Sequence, residues 1–190
     1  MRSLVWAELG GEGAPVLEPL NPYSYFSIAL NPIEHAEASG SPIHMASPHR
    51  LAARAGRTLV PSAPELGGGM GRWHLTNVAA TIWVSRNWSA SRAIDHVAGT
   101  DYYGHGFVGL PAASAGYFGL EPTQLSPPHA AMLVVIPKRP GRFSPWCFYH
   151  ANIEQASRLV VGPWPELKPA PPDTCRSFAA AQQEPTADAP

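Results

Sequence analysis

Residues 99–119 read GTDYYGHGFVGLPAASAGYFG, residues 125–140 read LSPPHAAMLVVIPKRP, and residues 142–145 read RFSP. The glycines at 104, 106 and 109 mark a turn, because glycine alone enters left-handed backbone at little steric cost. A helix near 111–117 follows, with Ser114 as a small packing residue. Tyr117 and Phe118 supply aromatic bulk for a core, and Gly119 closes the helix in a left-handed conformation. Ser126 with Pro127 at the first helical position begins the next helix, whose apolar residues run on until Pro137.

Working upstream, Leu75, Val78, Ala79 and Ile82 recur at three- and four-residue spacings, which predicts a helix over 74–87 with those residues on one face. Ser89 can cap a second helix over 90–98, and Gly99 stands where a left-handed stop is expected. A short helix over 49–55 and a last one over 152–161 complete the pattern. Strands are hard to place, so the chain reads as mainly α, a helical single domain. Residues 1–39 form a loop-rich N-terminal segment with one short apolar element near Tyr23 to Leu30, the helical domain occupies 40–162, and Gly67 to Gly69 make a flexible turn. The Pro/Ala-rich tail, 163–190, has too few large apolar groups to offset its ordering entropy and is expected to be disordered or loosely extended.

Composition narrows the function. The chain has 190 residues, 14% charged, with a formal net charge of −1, which suits one domain and argues against a nucleic-acid surface. Proline (22) and glycine (17) together exceed a fifth of the chain, so long unbroken helices should be few. Cys147 and Cys175 lie far apart with no CxxC and read as two unpaired thiols. The eight histidines are scattered, and neither the i, i+4 pair of a zinc helix nor HExxH occurs, so no metal site is assigned. No run approaches the roughly 18 apolar residues of a membrane span, and MRSLVWAELGG breaks too early for a signal peptide. Localisation stays open on sequence alone.

The ordered succession of Tyr102, Gly104, Gly106, Gly109, then Ala112, Ala113, Tyr117, Phe118, Gly119, then Leu125, Ser126, Ala130, Ala131, Leu133 and finally Pro140, Phe143 and Pro145 resembles the C-terminal half of a peptidoglycan glycosyltransferase domain, glycosyltransferase family 51. That resemblance implies a lysozyme-like helical fold, the transfer of a glycan from a polyprenyl pyrophosphate carrier to a lipid-linked disaccharide, and partners among glycan chains, the membrane or cell-wall proteins. It also implies a glutamate general base upstream, since a carboxylate in a partly desolvated cleft can accept the acceptor hydroxyl's proton. Counting back from Gly40-Ser41-Pro42-Ile43, which resembles the family's Gly-Ser-Thr-Ile, places that base at Glu8, with Glu12 as the other candidate.

The same resemblance makes Ser41, Arg50, Arg54 and Asn77 the substrate-binding candidates. Arg50 and Arg54, one turn apart, could grip a phosphate bidentately. Pro42, His44, Met45 and Ala46 replace the family's hydrogen-bonding groups, Asn77 stands at its second glutamate, and Ser85 replaces a further one. No cofactor is implied with certainty; a divalent metal could assist an active form. Two readings follow: a weakly active or inactive transglycosylase-like domain, and a non-catalytic glycan-binding or protein-interaction module on the same scaffold. A remnant that does not fold stably is a further variant of the second.

Overall fold

The computed structural model describes residues 1–23, 25, 46–60 and 70–176. Gly67 to Gly69 and most of the apolar element expected near Tyr23 to Leu30 lie outside these residues. The described chain is mainly α, as expected. It builds α1 (Arg2–Glu8), α2 (Ser47–Leu59), α3 (Met70–Asn87), α4 (Ala90–Thr100), α5 (Leu110–Tyr117), α6 (Pro127–Val134), α7 (Pro140–Phe143) and α8 (Tyr149–Ala156), with 3-10 turns at Pro122–Gln124 and Ile136–Lys138. No strand occurs among the described residues, and Tyr102 and Val108 form one isolated antiparallel bridge. The fold divides into two compact units, Arg2–Thr100 and Asp101–Pro190.

In the first unit α2 packs on α3 and α4, and α1 packs on α4. Helix α1 falls in the segment expected to be loop-rich. Its Val5 and Trp6, with Leu9 just beyond, are buried, and that burial makes so short a helix stable where propensity alone would not. Helix α3 corrects the periodicity argument. Thr81, Val84 and Ser85 face the core, whereas Leu75 is 44% exposed and Ala79 is exposed.

Close approach of α2 explains the reversal. A Cβ on Gly56 would lie 2.8 Å from the backbone nitrogen of Thr81, a spacing that branched apolar side chains on both helices would forbid. The hydroxyls buried there are satisfied, since Thr81 Oγ1 donates to Asn77 O at 2.8 Å and Ser85 Oγ to Ile82 O at 2.7 Å. Ser89 caps α4 as expected, accepting from Arg92 N at 3.2 Å. Gly99 does not stop that helix: α4 runs through it to Thr100, and Gly99 is not among the glycines with positive φ.

The second unit is organised by the glycine turn. Gly104, Gly106 and Gly109 have φ of 83°, 81° and 79°, and Tyr103 N donates to Phe107 O at 2.8 Å to close the loop. Tyr117 is fully buried, and its hydroxyl donates to Tyr103 O at 2.8 Å, which ties α5 to the turn. Gly119 takes φ of 72° after α5. Residues Ala130 to Ile136 are all buried, so the unbroken apolar run reflects a helix covered on every side. Asn152, also buried, donates from Nδ2 to Met132 O and Phe143 O, joining α8 to α6 and α7.

Residues 163–171 carry no regular structure, yet they are tied down. Trp164 and Leu167 pack on the core of this unit, Lys168 N donates to Tyr117 O at 2.8 Å, and Trp146 Nε1 donates to Lys168 O at 2.9 Å. The reading of Cys147 and Cys175 as unpaired thiols is overturned. They form a disulfide across 28 residues, with Cα atoms 5.5 Å apart. Spacing along the chain does not reveal it, because the pairing depends on the extended segment crossing back over the helices.

Candidate functional site

At the end of α1 the chain reverses through Gly10, whose φ is 79°. Residues 50 and 54 stand one turn apart on α2, so both guanidinium groups reach this reversal. Arg50 Nη1 donates to Leu9 O at 3.2 Å, and Arg54 Nη1 lies 3.4 Å from Glu8 Oε2. The Glu8 side chain is only 5% exposed and that of Arg54 20%. Glu8, Arg50 and Arg54, three residues singled out from sequence, thus come together in a half-buried cluster. Its visible bonds are internal: a carboxylate held against a cation, and a cation turned onto a backbone carbonyl.

Glu12 is exposed, and its backbone carbonyl accepts from Trp6 Nε1 at 3.1 Å. Ser41 lies outside the described residues. Asn77 is half-buried on α3, where Nδ2 donates to Trp73 O at 3.0 Å and Oδ1 is buried without a hydrogen-bond partner. Ser85 has a structural task, accepting from Leu20 N at 3.0 Å. Among the described residues no three His, Cys, Asp or Glu side chains are grouped to hold a metal.

A second polar cluster escaped the sequence. His105 takes φ of 51° in the glycine turn and folds inward, placing Nε2 2.6 Å from Ser144 Oγ. Its ring lies 5.2 Å from that of Trp146, and burial pushes its pKa below the ordinary imidazole value. Burial likewise pushes the Tyr117 hydroxyl upward. Ser144 is fully buried, so it cannot serve as a nucleophile toward an outside substrate. Nothing local announces this pairing, since 39 residues separate the two partners.

Residues 72–162 match the family described as Transglycosylase. Over 66 residues the chain is 41% identical to penicillin-binding protein 2D of Bacillus subtilis (strain 168), covering 35% of this chain and 10% of that protein. Over 83 residues it is 35% identical to penicillin-binding protein 1F of the same organism, covering 44% of this chain and 12% of that protein. The chain therefore matches about a tenth of the length of each of these relatives. Among the described residues no helix is long and apolar enough to cross a membrane.

Proposed function

We propose that residues 72–162, which match the family described as Transglycosylase and are similar to parts of two penicillin-binding proteins, form a peptidoglycan glycosyltransferase-like domain with little or no turnover. On this reading the scaffold engages a glycan chain or a lipid-linked disaccharide without polymerising it efficiently. The observation that carries it is the Glu8–Arg54 pair. A general base must reach the acceptor hydroxyl and take its proton, yet this carboxylate is 5% exposed and faces a guanidinium. Burial and the facing guanidinium both limit the access of an acceptor hydroxyl to this carboxylate.

Loss of charge at position 77 supports the same conclusion, because an amide cannot stabilise developing positive charge. Glu12 is exposed on the segment that follows α1. The test is polymerisation from lipid-linked disaccharide by the full chain and by a Glu8→Gln, Glu12→Gln double variant. Trace or absent polymer, equal in the two proteins, is the expected result. Robust polymer from the parent chain, lost in the double variant, would overturn the reading and restore a working base.

A further inference from the structure

The disulfide joins the α7–α8 connection to the extended segment after α8, and the sulfur on the helical side has an imidazole beside it. Cys147 Sγ lies 3.9 Å from His105 Nε2, and both cysteines are half-buried rather than sealed in the core. The covalent tie holds a segment whose other bonds are few: Lys168 N to Tyr117 O, Trp146 Nε1 to Lys168 O, and the packing of Trp164 and Leu167. Beyond Lys168, residues 169–173 are exposed, with only Thr174 and Cys175 half-buried. We propose that Cys147–Cys175 is an exchangeable disulfide that latches residues 169–176, with His105 as the proton partner of Cys147 and a dithiol as its co-substrate.

The chemistry balances as follows. A thiolate of the dithiol attacks Cys175 Sγ, the protein S–S bond breaks, and its electron pair passes to Cys147 Sγ. Cys147 is the favoured leaving group, because His105 Nε2, 3.9 Å from its sulfur, can supply a proton as the bond breaks. It takes up its proton through His105. The second thiol of the reagent then loses its proton and attacks the mixed disulfide, releasing Cys175 as a thiol. The dithiol has given up two electrons and two protons, and the protein holds two thiols. For reclosure in the presence of an oxidised dithiol, His105 accepts the Cys147 proton, a task suited to an imidazole that burial keeps neutral.

Opening the latch removes the constraint on a 28-residue separation, for which chain entropy corresponds to about a 400-fold rise in the opening equilibrium of the segment. The experiment uses the full chain, oxidised or reduced with dithiothreitol, followed by hydrogen exchange of residues 163–176 and by iodoacetamide alkylation of each cysteine. Reduction, and separately Cys175→Ser, should accelerate exchange in the segment about 400-fold, up to the free-peptide rate. In the reduced protein His105→Gln should slow alkylation of Cys147 about tenfold while leaving Cys175 within about twofold. Unfolding by that substitution would raise both alkylation rates together, so the two cysteines distinguish a proton partner from a mere packing residue. Unchanged exchange on reduction, or equal changes at both cysteines, would overturn the proposal.

Discussion

Two histidines fold against their own ionisation. Burial lowers the pKa of His105 and of His129, the latter with Nδ1 2.6 Å from Ser126 Oγ. In the unfolded chain both take up protons as pH falls through about 6.5, while the folded protein resists. Their contribution is therefore fully present above that value and is lost as pH falls toward the folded-state pKa. Urea-denaturation midpoints should decline between about pH 7 and 5, a window set by those reference values, and the decline should flatten in a His105→Gln, His129→Gln double variant. A midpoint independent of pH over that window would contradict the burial of these rings. Gly56 makes a second residue-scale prediction, because a methyl there meets the Thr81 backbone at 2.8 Å. Overpacking of about 1–3 kcal/mol should outweigh the helical gain of about 1 kcal/mol from Gly56→Ala. Urea denaturation should find the variant less stable, and a stabilised variant would mean that α2 and α3 are free to move apart.

Elements show why parts of the fold were legible and parts were not. Helices α5 and α6 follow from punctuation that acts locally: glycines at positive φ, prolines at helix starts, and an apolar run long enough to be buried on all sides. Helix α3 was found but its face only in part: Val78 and Ile82 are half-buried, while the fully buried Thr81, Val84 and Ser85 follow the close pass of Gly56 and not the apolar pattern. Helix α1 was missed because seven residues give too little periodicity, and its stability comes from burying Val5 and Trp6 as it packs on α4. The candidate site was legible to a similar degree. Counting from Ser41 led to Glu8, and helical spacing paired Arg50 with Arg54, but only folding shows the carboxylate and a cation occupied with each other. That pair should be structural: Glu8→Gln and Arg54→Met should each cost about 1–3 kcal/mol, with a coupling of about 1 kcal/mol in the double-mutant cycle. Independent, additive effects in chemical denaturation would show that the two groups do not depend on each other.

At the scale of the whole chain, the boundaries of the family match are not the boundaries of the packed structure. The match begins at residue 72, inside α3, whose buried face needs α2 from outside the match. It ends at residue 162, yet Trp164 and Leu167 still pack on the core and Cys175 still holds Cys147. Residues 163–175 contain few large apolar groups, but two of those few are well placed, and a disulfide lowers the entropy that they must offset. The stabilities of three proteins in oxidising buffer separate these contributions. Cys175→Ser removes only the cross-link and should cost about 3 kcal/mol. A chain ending at Gly162 loses the cross-link together with the burial of Trp164 and Leu167, which adds about 2–4 kcal/mol at roughly 1–2 kcal/mol for each partly buried side chain. Reducing the parent chain should reproduce the Cys175→Ser value, and reducing the shortened chain should change nothing. If the shortened chain proves as stable as Cys175→Ser, the two side chains contribute nothing and the packed structure ends where the family match does.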